Sequence, residues 1–259
     1  MSFRPISLRY ATALALALSS LANALPSRAE DAASIVKKVS DRYLNAKSFQ
    51  GVIMTHQSMT GANGQAATVD ATQTVYVQLP GKYRFDVKAK GTGGAANASK
   101  NDHSMISDGK TLSVYYPASK QYIQNLAPKD FSMKQIVGSL LPQLDAFTPA
   151  GVSEGVANGQ PTFIVLMKMQ MPKNLPAQVT AEQKKQIEDN LRKSKPVKVI
   201  VNKRDYSLVE VVINGGAGKD LNIVISQQSF DKPIPASRFQ FTPPAGAKLF
   251  TPPQTGGKP

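Results

Sequence analysis

One short segment fixes its own backbone as a β-strand, because every second residue in it is apolar. From Lys82 to Ala89 the apolar residues Tyr83, Phe85 and Val87 are each followed by a charged residue. Successive side chains of a strand point to opposite faces, so this pattern buries one face and leaves the other in water. Half-buried strands of this kind are typical of antiparallel sheets.

Tight turns connect this strand to others. Asp108-Gly109 separates the strand-like runs His103 to Ser107 and Thr111 to Tyr116, and the dipeptide favours a hairpin because that turn needs positive φ. Further turns at Pro80-Gly81 and at Pro117 to Lys120 predict an antiparallel meander. The other predicted strands are Phe49 to Gln57, Val69 to Leu79, Gln121 to Leu126, Thr162 to Met171, Val197 to Val201, Ser207 to Ile213 and Leu221 to Ser226.

Helical spacing interrupts the strands at three places. Residues 31 to 47 place Ile35, Val39 and Tyr43 on one stripe, which predicts a helix that covers an apolar surface. Phe131 to Leu141 suits a short helix that Pro142 ends. A nearly all-polar helix, which we expect on the surface, runs from a capping box at Thr180 to about Lys193.

The order of these elements predicts a mainly β fold with helices. Strands and helices do not alternate, which disfavours a parallel sheet, and either a curved open sheet covered by helices or a two-layer sandwich fits. Residues 90 to 101 and 142 to 160 are predicted to be loops. We expect a single domain over residues 30 to 250, with insertions at 90–101 and 172–195 and a disordered tail at 251–259.

The N-terminus has the pattern of a secretory signal peptide over residues 1 to 29. Arg4 and Arg9 precede the apolar run Ala11 to Leu18, and small residues offer cleavage after Ala24 or after Ala29. The chain has no cysteine, so no thioether lipid can anchor it after cleavage. The sequence therefore predicts a soluble protein that is released into the periplasm.

The mature chain is strongly basic. The predicted signal peptide carries three arginines and no acid, so its removal leaves +11 of the formal net charge of +14. Such an excess marks some nucleic-acid-binding proteins, but an exported protein rarely meets nucleic acid, which we exclude as a partner. Attraction to anionic lipid or to an acidic partner fits the compartment, and a well-solvated basic surface is the alternative.

The residues needed for common catalytic sites are missing. The chain has only two histidines, His56 and His103, which are too few for the usual zinc sets, and it lacks nucleotide-binding glycine loops. Adjacent side chains of a strand point to opposite faces, so Asp102, His103 and Ser104 cannot form a relay among themselves. We therefore expect a protein that is not an enzyme and holds neither metal nor cofactor.

Methionines concentrate on one predicted strand face, at Met167, Met169 and Met171, with Met133 on the short middle helix. Methionine adapts to varied partners, but it also fills gaps in ordinary cores. The apolar side of residues 131 to 141 has the same two interpretations, a lid over a cavity or part of the core.

Several motifs in order resemble the Lol-type periplasmic lipoprotein carrier superfamily. Ser107 to Leu112 (SDGKTL) followed by Val114 to Pro117 (VYYP) resembles its hairpin motif. Pro80 to Phe85 (PGKYRF) resembles its proline-glycine, aromatic-arginine-aromatic strand, although the final aromatic is phenylalanine where the carrier usually has tryptophan. Phe239 to Gly246 (FQFTPPAG) is similar to its C-terminal strand and loop, and the helix followed by Ser48 to Gly51 (SFQG) also fits. The chain is therefore identified as a divergent member.

The resemblance implies an unclosed antiparallel β-barrel with a helical lid, whose apolar concave face holds acyl chains of lipoproteins or lipids. It also implies that Arg84 ties the lid shut, whereas the strand pattern leaves a solvated arginine open. An inner-membrane transporter and an outer-membrane acceptor are the implied protein partners. A regulatory or scaffold protein that uses the same fold to recognise a protein partner is the alternative. The expected cavity and lid residues are Phe85, Met105, Met133, Ile136, Val137, Leu140, Val165, Met167 and Met169.

Overall fold

The computed structural model of the 259-residue chain describes residues 30–60, 64–135, 147–171, 179–215 and 219–251. From Ala32 onward the described residues form one compact unit. The predicted signal peptide, the second half of the predicted middle helix and nearly all of the predicted C-terminal tail lie outside the described residues. The boundaries predicted for the domain stay a prediction.

The described elements begin with helix α1 (Ala32–Leu44) and the hairpin strands β1 (Ser48–Thr60) and β2 (Ala66–Gln78). A second helix, α2 (Ala181–Lys193), lies between β8 and β9. The remaining strands are β3 (Lys82–Thr92), β4 (His103–Asp108), β5 (Thr111–Tyr116), β6 (Gln121–Leu126), β7 (Phe147–Ala157), β8 (Gln160–Met169), β9 (Val197–Asn202), β10 (Leu208–Asn214), β11 (Asp220–Phe230) and β12 (Lys248–Leu249).

All twelve strands belong to one sheet in the order β12-β6-β5-β4-β3-β2-β1-β11-β10-β9-β8-β7. Neighbours pair antiparallel except β12, which runs parallel to β6. The sheet is unclosed, with β12 at one end and β7 at the other. The predicted fold class, a mainly β fold with an unclosed antiparallel sheet against which a helix packs, is confirmed.

The sheet curves around α1. β1 and β7 are five strand spacings apart, which is about 24 Å in a flat sheet, whereas a helix with its side chains is about 10–12 Å wide. Yet Tyr43 of α1 packs on Phe49 of β1, and α1 also lies against β7. The sheet must therefore bend around the helix. We call the face that contacts α1 the inner face and the opposite one the outer face.

The main core forms where α1 meets the inner face. The predicted stripe is correct: Ile35, Val39 and Tyr43 are at most 4% exposed. Tyr43 packs edge-on against Phe230 of β11, with ring centroids 5.1 Å apart. Each large side chain buried in this way contributes roughly 1.5–3 kcal/mol, so this stripe holds the helix in the sheet. By contrast, α2 buries no residue, as its polar sequence predicts.

The C-terminal segment covers part of the outer face. Phe239 is only 2% exposed, and Phe241 packs against Tyr122, with ring centroids 5.4 Å apart. Arg238 lies over the ring of Tyr76 at 5.0 Å. The strand expected in residues 239–246 is absent, because this described stretch follows a short 3-10 helix (Ala236–Phe239) and contains Pro243-Pro244, which cannot donate backbone hydrogen bonds.

Two predicted loops are largely strand or helical turn. β3 continues to Thr92, and residues 93–95 and 98–101 form 3-10 turns in place of the predicted flexible loop. β7 occupies much of the loop predicted over 142–160. Its proline and glycines are tolerated because β7 is an edge strand, and its register shifts between Pro149 and Gly151.

Candidate functional site

A row of four apolar side chains crosses the inner face of β3 to β6. Phe85 pairs with Met105, Met105 pairs with Val114, and Val114 pairs with Ile123. The hairpin turns set this register, because Asp108-Gly109 and residues 117–120 bring the four positions opposite one another. All four side chains are half-buried, whereas Val75, which pairs with Phe85 from the other side, is fully buried. The inner face thus changes from filled to partly open at β3.

Aromatic residues border this row. Tyr83, beside Phe85 on β3, is 2% exposed and stacks on Phe131, with ring centroids 3.9 Å apart. Burial raises the pKa of Tyr83, and a hydrogen bond with Ser107 lowers the pKa in part. Ser107 is itself fully buried and donates to the Gly81 carbonyl at 2.8 Å. Tyr83 therefore remains neutral near pH 7 and, with Phe131 stacked on it, fills the inner face on one side of the open row.

The segment after β6 returns to the inner face. Phe131 covers Tyr83, and Met133 is 2% exposed within the main core cluster. Residues 133–135 are helical, which agrees with the start of the predicted middle helix. Ile136, Val137 and Leu140 lie outside the described residues, so their place in a lid stays a prediction.

The predicted site residues on β8 belong to the other, filled half of the inner face. Val165 and Met167 are 0% and 1% exposed and pack in the core beneath α1, while Met169 is 45% exposed near the end of the strand. Met133, Val165 and Met167 all belong to the core cluster, and Phe85 and Met105 pack against it. Because Val165 and Met167 are fully buried, they offer no free surface to a ligand in this arrangement.

Arg84 lies on the outer face of β3, opposite Phe85. Its Nε donates to Asp86 Oδ2 at 2.7 Å, and Asp86 Oδ1 accepts from Ser104 Oγ at 2.6 Å. Arg84, Asp86 and Arg238 line a shallow cleft of about 470 Å³ on that face. Among the described residues its ion-pair partner is therefore Asp86, and the lid-tethering role implied by the resemblance stays a prediction.

Reasoning from the sequence missed Val114, Ile123 and Phe131. A signal for the first two was available: once the hairpin register is fixed by Asp108-Gly109, Val114 must face the same side as Met105, and Ile123 follows through the next turn. The sequence predicts that Phe131 begins the middle helix, but its stacking on Tyr83 depends on how the chain folds back over the sheet.

The described residues contain no group of three or more His, Cys, Asp or Glu side chains close enough to hold a metal ion. Within the same residues, no helix combines the length and the apolar character that crossing a membrane requires.

Residues 32–151 match the family described as "Predicted periplasmic protein (DUF2092)", from the start of α1 to within β7. A comparison with curated proteins finds no match. The periplasmic localisation predicted from the N-terminus is confirmed by the family description, while the signal peptide itself stays a prediction.

Similar solved structures include an uncharacterised conserved protein from Thermus thermophilus, 11% identical, with a TM-score of 0.44 over 83% of this chain and 98% of that one. A LolA superfamily protein from Nitrosomonas europaea is 10% identical, with a TM-score of 0.30 over 82% of this chain and 99% of that one. MucB, from the Pseudomonas aeruginosa MucA/MucB complex, is 11% identical, with a TM-score of 0.36 over 82% of this chain and 62% of that one.

These structures, among them a LolA superfamily protein, are similar to the chain in fold. The superpositions all have TM-scores below 0.5, so they carry no argument about ligand or partner.

Proposed function

We propose that this periplasmic protein binds the acyl chains of lipoproteins or lipids on the inner face of β3 to β6, without catalysing a reaction. The row Phe85, Met105, Val114 and Ile123 is the observation that carries the proposal. These side chains are apolar and lie on the face that elsewhere forms the core, yet they are only half-buried. Each ligand methylene buried there would contribute roughly 0.8 kcal/mol, so one acyl chain supplies ample binding energy.

The segment that follows β6 is the proposed lid. Phe131 and Met133 already contact the inner face, and we assign Ile136, Val137 and Leu140 to the continuation of the same apolar surface. Val165 and Met167 are fully buried, so they would border a ligand only if the core beneath α1 opened, whereas Met169 is already 45% exposed. A ligand-dependent movement of this kind requires that the ligand binds the open arrangement better than the closed one.

The open row also favours binding over catalysis. The four side chains of the row carry no titratable group, and the raised pKa of Tyr83 beside them keeps that residue protonated at neutral pH. A neutral and buried tyrosine supplies neither nucleophile nor base. An inner-membrane transporter and an outer-membrane acceptor would be the partners of such a carrier.

Two measurements test the proposal. Organic extracts of the protein purified from its own host are examined by mass spectrometry for co-purifying lipids, and delipidated protein is titrated with dansyl-labelled undecanoic acid. In the Ile123→Asp variant a carboxylate must be desolvated or protonated when the probe binds, at a cost of several kcal/mol. We expect the affinity for the probe to fall by about 100-fold or more.

Leu126→Asp is the matched control. Leu126 lies on the same strand but is 91% exposed, and its alternation places it on the outer face. This variant should bind the probe as the wild type does, and both variants should keep the wild-type circular dichroism. Extracts free of lipid, together with equal probe binding by the two variants, would refute an acyl-chain site on this face.

A further inference from the structure

Five exposed lysines gather at one end of the strands β3 to β6 and at β12. We call this group the lysine rim; it consists of Lys88, Lys90, Lys100, Lys120 and Lys248. β3 ends, β4 begins, β5 ends and β6 begins at this end of the sheet. Four strand spacings separate β3 from β12, so the rim spans only about 20 Å.

The strand pairing places these lysines together. Val87 pairs with His103, which sets Lys88 beside the start of β4, and the 3-10 turn that carries Lys100 lies against β3. On the other side of the rim, the backbone N–H of Lys248 donates to the carbonyl of Lys120 at 2.9 Å. The sheet topology thus brings together residues that are far apart in the sequence.

The nearby carboxylates are already engaged. Asp86 accepts from Arg84 and Ser104, and Asp102 accepts from the backbone N–H of Ala89 at 2.8 Å. Among the ion pairs of the described residues, none includes a lysine of the rim. Against the five lysines and Arg84 stand three carboxylates, Asp86, Asp102 and Asp70, which pairs with Lys90 in the register of β2 and β3, so six positive charges face three negative ones and a local positive excess remains.

Exposed apolar side chains stand beside the same lysines. Tyr116 is 38% exposed, Leu249 is 55% exposed and Phe250 is 40% exposed. Tyr116 pairs with Gln121, which also pairs with Lys248, so the three side chains adjoin Lys120 and Lys248. These are three of the nine large apolar residues that are exposed in the described part of the chain, gathered at one edge.

We propose that the lysine rim and its apolar edge dock this protein on the surface of a bilayer that contains anionic lipid. Lysines near such a surface gain about 1 kcal/mol each, and aromatic and aliphatic side chains beside them can enter the interface between headgroups and acyl chains. Lysines beside a small apolar edge match the layering of an anionic bilayer, in which charged headgroups lie directly above the acyl chains. The rim runs alongside the open inner row, so docking here brings one long side of the row towards the lipid.

The binding test uses sedimentation with vesicles of phosphatidylcholine, with and without phosphatidylglycerol. We expect binding only to the vesicles that contain phosphatidylglycerol, with an affinity that falls as salt increases. Replacing two lysines in Lys120→Gln/Lys248→Gln should weaken binding on the order of 30-fold, from about 1 kcal/mol per lysine.

The control removes the same charge at the other end of the same strands, in Lys110→Gln/Lys129→Gln. Both residues are exposed, and Lys110 lies beside the end of β6, because its carbonyl accepts from the backbone N–H of Ala127 at 2.8 Å. β5 is six residues long, so Lys110 and Lys120 at its two ends are about 17 Å apart, beyond the Debye length of about 8 Å. The control should change binding less than threefold.

A tryptophan reporter gives a second, independent readout. The chain contains no tryptophan, so Phe250→Trp provides a single emitter at the proposed contact. Its emission should shift to shorter wavelength on phosphatidylglycerol vesicles, whereas that of Leu126→Trp at the opposite end of β6 should not. Equal losses of binding in the two lysine double variants, no binding to anionic vesicles at low salt, or no shift for Phe250→Trp would each overturn the proposal.

This inference goes beyond the proposed acyl-chain site and does not depend on it. The Ile123→Asp variant should still sediment with anionic vesicles, and the rim variants should still bind the dansyl probe. Failure of one proposal can therefore be distinguished from failure of the other.

Discussion

The hydroxyl group of Tyr43 joins α1 to the sheet, and its removal tests how the helix is held. Tyr43 is 1% exposed; its hydroxyl donates to Gln228 Oε1 and accepts from the Leu208 backbone N–H at 3.1 Å. Gln228 Nε2 in turn donates to the Leu208 carbonyl at 2.5 Å. The three groups satisfy one another at the point where β10 begins and β11 nears its end.

Tyr43→Phe keeps the ring contacts with Phe49 and Phe230 and removes only the hydroxyl. Leu208 is 1% exposed, so its N–H loses its partner in a place that water does not reach, at a cost of about 1–3 kcal/mol. Gln228 is half-buried, so water can replace the hydroxyl there at little cost. We therefore expect a loss of about 2 kcal/mol in the free energy of unfolding.

Urea unfolding followed by circular dichroism measures this loss, with Tyr116→Phe as the control. Tyr116 is 38% exposed, so the control should remain within about 0.5 kcal/mol of the wild type. A Tyr43→Phe protein as stable as the control would show that the buried network does not hold α1 in place.

Two further predictions concern the same fold. Burial raises the pKa values of Tyr43 and Tyr83 above the ordinary value of 10, so the unfolded chain loses these protons first. The free energy of unfolding should therefore be independent of both groups below pH 10 and fall as pH rises above it, with a shallower fall in Tyr43→Phe than in the wild type. An equal fall in the wild type and in Tyr43→Phe would contradict the raised pKa of Tyr43. Gly81 has a φ of +70°, and a Cβ there would lie 3.2 Å from Gly109 Cα, whereas Gly64 has a φ of +77° and no described atom within 4 Å of such a Cβ. Gly81→Ala should therefore lower the free energy of unfolding in urea by at least about 1 kcal/mol more than Gly64→Ala does. Equal losses in the two variants would show that the close approach of Gly81 to Gly109 has no effect.

The sequence predicts those parts of the fold in which local pattern and tertiary packing agree. The stripe Ile35, Val39 and Tyr43 predicts both α1 and its buried face, and Asp108-Gly109 predicts the β4–β5 hairpin and its register. Edge strand β7 could not be found in this way, because proline and glycine disfavour strands except at a sheet edge, and only the folded sheet shows which strand is an edge.

The same limit applies to the candidate site: local pattern predicts which face a residue lies on, but not whether other elements cover it. Alternation identifies Phe85 as an inward residue, but it cannot tell a residue that α1 covers from one that remains half-open. Met167 has the same pattern and is fully buried, because it lies in the half of the sheet that α1 fills. For Arg84, alternation correctly predicts a side chain on the face opposite Phe85, since Arg84 and its ion-pair partner Asp86 both lie on the outer face.

The pairing of β1 with β11 has a consequence for how the chain acquires its fold. Phe49 pairs with Phe230, so the strand next to α1 is completed by residues close to the C-terminus. The hairpins from β1 to β6 are local and can form early, but closing a loop of this length is slow. A polypeptide that emerges N-terminus first therefore cannot finish its core until β11 has emerged, and during that interval the apolar side of α1 is available to chaperones or to premature association.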